Sequence, residues 1–100
     1  MPHSLPPALA AQLSAAAASC GCSRLVLFGS RARGDHRPGS DIDLAAWGLD
    51  PVAAGRLRLL LEDLPTLLRF DLVSVAPDTS AALLENIERE GVELYAADEV

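Results

Sequence analysis

Apolar residues recur along this chain with two different periods, and the change of period marks the predicted elements. Short runs rich in leucine, valine and isoleucine predict strands at 24–29, 41–47 and 69–76, with a short edge strand at 92–96. Apolar residues at helical spacing predict three longer helices around these strands. Alternating helices and strands indicate an α/β domain with a small mixed β-sheet packed with helices in two or three layers.

Residues that cap or break helices indicate where the first two long helices begin and end. Ser4 or a neighbour starts the first helix, with two prolines in its opening turn, and Gly21 ends it. Asp50 caps the second helix, which runs through about Leu64. Its predicted apolar stripe consists of one valine and four leucines: Val52, Leu57, Leu60, Leu61 and Leu64.

The last long helix starts at Asp78 or Thr79 and ends at Gly91. Its three apolar residues are predicted to face inward: Leu83, Leu84 and Ile87. The segment SRARG after the first strand predicts one or two further helical turns that lead into a polar loop.

Length and composition restrict the class of protein. One hundred residues can bury one core, so residues 1–100 are expected to form a single domain. Half of the residues are hydrophobic and 22% are charged, which is typical of a globular chain. The N-terminal segment lacks the basic and continuous apolar stretches of a signal peptide or membrane span, so we expect a cytoplasmic protein without membrane attachment.

Charged residues narrow the possible functions further. The net charge of −6 argues against direct binding of nucleic acid, which is held by cationic surfaces. The chain has no lysine, so Walker-type phosphate loops and Schiff-base catalysis are excluded. Seven carboxylates lie between residues 78 and 99, and we interpret them as a solvated helix face. Cys20 and Cys22 are expected to be buried thiols at a helix end.

Two aspartates in the second strand are the strongest indication of chemistry. Asp41 and Asp43 are two positions apart, so their side chains point to the same face while Ile42 points into the core. Two like charges about 5 Å apart repel by about 3 kcal/mol at an effective dielectric near 20. A bridging divalent cation offsets this cost. Asp71, in the third strand, supplies a third carboxylate, and three acids can hold two cations for a phosphoryl displacement.

The turn that follows the first strand fits the same chemistry. Gly29 allows close approach of a ligand to the backbone, and Ser30 is predicted to cap the short helix that follows. The free amides there predict an anion site. Arg31 and Arg33 carry guanidinium groups suited to phosphate oxygens, although at this spacing only one of them can point at a given site.

Together these motifs resemble the nucleotidyltransferase superfamily built on the DNA polymerase β-type palm. Gly29-Ser30 is followed after ten residues by DIDL at 41–44 and later by Asp71. The form GSRARG followed by SDIDL is similar to the minimal nucleotidyltransferases (MNT), single-domain proteins encoded beside HEPN-domain partners, and the resemblance covers nearly the whole chain. It implies that Gly29 and Ser30 hold the nucleotide phosphates.

The resemblance also implies an activity. Asp41, Asp43 and Asp71 would ligate two Mg²⁺ ions, and Arg33 would join Gly29 and Ser30 in binding the nucleotide. The reaction implied is transfer of a nucleoside monophosphate, AMP, from a nucleoside triphosphate such as ATP to a hydroxyl, with release of pyrophosphate. The acceptor implied is a HEPN-type ribonuclease toxin in a hetero-complex, which would make the chain an antitoxin and a protein adenylyltransferase.

Two alternatives stay open at this point. The chain could neutralise a toxin by contact alone as a non-catalytic binding module, using its acidic C-terminal segment against a basic surface. It could also be a small-molecule nucleotidyltransferase completed by a separate subunit, because it has no room for an acceptor-binding domain of its own. The intact set of acids favours catalysis.

Overall fold

The computed structural model describes residues 5–35, 37 and 39–97. The described residues contain four helices and four strands in the following order: α1 (Pro7–Ser19), β1 (Arg24–Phe28), α2 (Ser30–Arg33), β2 (Ile42–Trp47), α3 (Pro51–Glu62), β3 (Phe70–Ser74), α4 (Ala81–Glu90) and β4 (Val92–Ala96). The predicted α/β class with a small mixed sheet is confirmed.

The strands form one sheet in the order β3-β2-β1-β4. β1 is antiparallel to both of its neighbours, β2 and β4, and β2 is parallel to β3. A parallel connection needs a crossover, and α3 provides it between β2 and β3. The predicted edge strand at 92–96 is confirmed as β4.

Helices cover both faces of the sheet, so the domain has three layers. On one face, α1 and α3 pack over β1 and β2, whose inward residues include Leu25, Leu27 and Leu44. On the other face, Ile87 of α4 packs with Val26 and Ala45. The alternation of side chains along each strand explains why neighbouring residues such as Leu44 and Ala45 belong to different layers.

Several helix boundaries differ from the predictions. The predicted start at Ser4 lies outside the described residues, and α1 has Pro6 as its N-cap and ends at Ser19, before Gly21. α3 ends at Glu62 rather than about Leu64, although Asp50 caps it as predicted, accepting a hydrogen bond from the Ala53 amide. Tertiary contacts, which a local pattern does not contain, determine how far the terminal turns extend.

Two predictions about the helix faces need correction. Val52 does not belong to the apolar stripe of α3, because it lies in the first turn and is 73% exposed, whereas Leu57 and Leu61 are buried. The last helix is capped by Ser80, whose hydroxyl accepts a hydrogen bond from the Leu83 amide, rather than by Asp78 or Thr79.

The two cysteines are buried and unbridged, as predicted. They lie where α1 turns into β1, and the Cys22 thiol donates to the carbonyl oxygen of Arg24 at 3.0 Å. Burial raises the pKa of the Cys22 thiol. A thiol that stays protonated in the core is a packing residue, not a nucleophile.

Candidate active site

Two of the predicted acids lie side by side on neighbouring strands. In the parallel pairing of β2 with β3, Asp43 is aligned with Asp71. Aligned residues of paired strands point to the same face, which here is the face on which Ala45 packs against α4. Asp41 is exposed and lies one residue before β2, not within it as predicted. The structure therefore brings the three acids into one region of the sheet.

The electrostatics of Asp43 show how close the acids are. Burial raises the pKa of the Asp43 carboxyl above its ordinary value, and the charges of Asp71 and Asp41 raise it further. Glu90 adds a smaller effect in the same direction, and the Arg33 guanidinium opposes it. A raised pKa means that the carboxylate lacks sufficient positive charge nearby. An added cation would supply that charge.

Gly29 lies directly beside Asp43. It follows Phe28, which is paired with Asp43 across β1 and β2, and its φ and ψ of 77° and −158° belong to a region that is essentially restricted to glycine. A Cβ atom at Gly29 would contact the Asp43 carboxylate. The glycine predicted from its place after a strand is thus required by both backbone conformation and space.

The short helix α2 has a different N-cap from the one predicted, and its two arginines point to different places. Gly29, not Ser30, is its N-cap, and no side chain caps it; Ser30 is the first helical residue and is half-buried. Arg31 is 6% exposed and donates from Nε to the Ser40 carbonyl oxygen at 3.1 Å, which ties α2 to the loop before Asp41. Arg31 therefore supports the loop, and Arg33 is the arginine on the side of the acids.

The sequence analysis missed one residue of this region, Glu90. Its Oε1 accepts a hydrogen bond from the Gly29 amide at 2.9 Å, and its Oε2 accepts one from Nη1 of Arg33 at 3.0 Å. The interpretation of all the C-terminal carboxylates as a solvated helix face is wrong for Glu90, whose side chain is only 15% exposed. The feature of the sequence that could have indicated Glu90 was its place at the end of α4, immediately before Gly91.

The chemistry of the donor set fits a hard divalent cation. Carboxylate oxygens are the ligands that Mg²⁺ prefers, and Asp43 and Asp71 present them from adjacent rigid strands. Among the described residues, however, no group of three His, Cys, Asp or Glu side chains is already close enough to hold one ion.

A cavity of about 460 Å³ opens beside Asp71. Apolar side chains from α3 and β3 line it together with two arginines, Arg58 and Arg69. Nη2 of Arg58 donates to the carbonyl oxygen of Leu72 at 3.3 Å. The cavity lies on the α3 face, whereas the exposed Asp71 carboxylate is on the opposite face of this edge strand and is reached from solvent.

Comparison with known proteins identifies the family. Residues 21–100 match the profile of the family described as "Polymerase beta, Nucleotidyltransferase". The chain belongs to the polymerase β-type nucleotidyltransferases. The matched segment of this nucleotidyltransferase includes β1, the Gly29–Ser30 turn and all the acids described above. No curated protein matches the sequence at a significant level.

Three solved structures are similar to this nucleotidyltransferase. A candidate minimal nucleotidyltransferase is 33% identical, with a TM-score of 0.62 over 85% of this chain and 88% of that one. A toxin–antitoxin crystallised with AMP-PNP is 24% identical, with a TM-score of 0.71 over 89% of this chain and 74% of that one. A mutant of the toxin–antitoxin MntA–HpeT is 22% identical, with a TM-score of 0.70 and the same coverage.

The two toxin–antitoxin structures, at 24% and 22% identity, show that the fold is shared.

Of the helices in the described part of the nucleotidyltransferase, none combines the length and apolar character that a membrane span requires.

Proposed function

We propose that this nucleotidyltransferase moves AMP from ATP to a hydroxyl on a partner protein, and that it thereby acts as the antitoxin of a HEPN-type ribonuclease toxin in the cytoplasm. The observation that carries the proposal is the alignment of Asp43 with Asp71 beside the Gly29 turn. Two adjacent carboxylates and an open backbone turn are what transfer of a phosphoryl-linked group requires.

Three acids would hold the metal. Asp41, Asp43 and Asp71 would ligate Mg²⁺, two ions in the complete site, and the cations would neutralise charge on the phosphates and on the attacking oxygen. Two observations support this assignment: the uncompensated charge around Asp43 and the oxygen-only chemistry of the donors.

The remaining residues would bind and orient the two substrates. Gly29, which has no side chain, would let the triphosphate approach the turn, Ser30 would bind it through its backbone amide, and Arg33 would add a cationic fork on the same side. The acceptor hydroxyl would reach Asp71 from solvent at the exposed edge strand β3, and the Asp71 carboxylate can accept the hydroxyl proton. The acceptor oxygen then bonds to the α-phosphorus, and the bond from that phosphorus to the bridging oxygen breaks. Pyrophosphate leaves with the electron pair.

The proposed partner rests on similarity to other proteins. Two structural neighbours are toxin–antitoxin proteins, and one of them was crystallised with AMP-PNP, an ATP analogue.

The test is transfer of label from ATP. Wild-type protein with Mg²⁺ and α-labelled ATP should label a co-purified HEPN-domain partner, and the Asp43→Asn variant should not. The substitution preserves side-chain shape but removes a charged metal ligand, a loss on the order of several kcal/mol of transition-state stabilisation. Asp78→Asn serves as the matched control, because Asp78 is exposed in a turn outside the site. It should label the partner at the wild-type rate.

Growth protection separates the alternatives. If modification is the antitoxic act, Asp43→Asn should fail to protect cells that express the partner. Full protection by this inactive variant would favour the non-catalytic binding module. Label that appears on a small molecule and never on the partner would favour the small-molecule nucleotidyltransferase.

A further inference from the structure

A carboxylate from the end of α4 joins the two groups that are proposed to contact phosphate. Oε1 of Glu90 accepts a hydrogen bond from the Gly29 amide, and Oε2 accepts one from Nη1 of Arg33, so each oxygen has a different partner. Arg33 is held on its other side by Asp35, which accepts from Nε at 3.1 Å. These contacts leave Nη2 of Arg33 without a hydrogen bond to a described residue.

Gly91 explains how Glu90 reaches this position. Gly91 follows the last residue of α4, and a Cβ atom there would collide with the Ile87 carbonyl oxygen and with Val26 of β1. Only glycine allows the end of α4 to lie so close to β1. The strand ends two residues beyond Val26, at Phe28, and the Gly29 turn follows directly, so backbone packing holds Glu90 against that turn.

We propose that Glu90 is a positioning residue for the nucleotide phosphates: it fixes the Gly29–Ser30 turn and aims the Arg33 guanidinium. The inference rests on the proposed function, since it assigns Glu90 a role in binding the same triphosphate. A fourth carboxylate near three others is electrostatically unfavourable, and Arg33 offsets it locally. Both hydrogen bonds of Glu90 connect to groups assigned to phosphate, whereas Glu88, on the same helix, accepts a hydrogen bond from Arg24, which lies outside the site.

The experiment measures binding of Mg²⁺-ATP by calorimetry, alongside thermal melting of each variant. Glu90→Ala removes both contacts and should weaken binding about tenfold, the equivalent of one charge-assisted hydrogen bond. Glu90→Gln keeps an oxygen for the Gly29 amide but loses the charge opposite Arg33, so its loss should be smaller. Arg33→Ala removes the guanidinium itself and should weaken binding more than Glu90→Gln does, and adding Glu90→Gln to Arg33→Ala should cause little further loss because both act on one pair.

The control variant is Glu88→Ala. Glu88 lies on the same helix and also pairs with an arginine, at 3.2 Å, but its side chain is 63% exposed and outside the site. It should bind Mg²⁺-ATP as the wild type does. In the transfer assay, Glu90→Ala should raise KM for ATP more than it lowers kcat, because a turn that holds phosphate contributes to ground state and transition state alike.

Three results would overturn the inference. A lower melting temperature with unchanged affinity would mean that Glu90 acts only in folding. Tighter binding by Glu90→Ala would mean that the carboxylate blocks the phosphate site. Failure of the wild-type protein itself to bind Mg²⁺-ATP would instead remove the proposed function, and this inference with it.

Discussion

Replacing Gly29 with alanine tests the geometry of the site most directly. The φ and ψ of Gly29 lie in a region that costs a residue with a side chain about 1–3 kcal/mol. The new methyl group would also press on the Asp43 carboxylate, and such overpacking costs about 1–3 kcal/mol. We therefore expect a loss of about 2–6 kcal/mol, a large part of the roughly 5–15 kcal/mol that stabilises a typical domain.

Rotation of the Asp43 side chain relieves only part of this collision. The Asp43 Cβ atom would still lie 3.3 Å from the new methyl group, and the rotation would turn the carboxylate away from its place beside Asp71. Gly29→Ala should thus lower both the unfolding free energy and the affinity for Mg²⁺-ATP.

Alanine substitutions at two other glycines separate the cost of backbone strain from the cost of the contact with Asp43. The stability of each variant is measured by urea unfolding followed by circular dichroism. Gly21 has the same φ of 77°, but nothing lies within 4 Å of a Cβ atom there, so Gly21→Ala should lose only about 1–2 kcal/mol of backbone strain. Gly55 lies inside α3 with open space around it, and Gly55→Ala should gain up to about 1 kcal/mol. Equal unfolding midpoints for Gly29→Ala and Gly21→Ala would refute the proposed contact between Gly29 and Asp43.

Two further predictions concern stability. Because its pKa is raised on folding, the Asp43 carboxyl holds its proton more tightly in the folded chain, so the metal-free protein should lose stability as the pH rises through and above about 4. Asp43→Asn should flatten this dependence in thermal melts with EDTA between about pH 4 and pH 7; an unchanged slope would contradict the assignment. Gly91→Ala should push α4 from β1 and cost about 1–3 kcal/mol in urea unfolding, while a neutral effect would show that α4 is not seated closely on Val26.

Local pattern was enough to predict most of the elements and part of the site. Apolar runs place the four strands to within a residue or two, and the cap at Asp50 follows from chemistry within one helical turn. The inward direction of Ile42 and Leu44 follows from the two-residue period of extended chain. These features are short-range consequences of backbone geometry, which a sequence displays directly.

Longer-range features were decided only by the tertiary structure. Asp71 meets Asp43 because β3 pairs with β2 in one particular register across the α3 crossover, and a shift of one residue would turn Asp71 to the opposite face. Glu90 meets Gly29 across a separation of 61 residues because α4 is seated on β1 through Gly91. Register and helix seating depend on packing between distant segments. Local periodicity therefore singled out Asp43 of β2 but left Glu90 among the solvated charges of its helix.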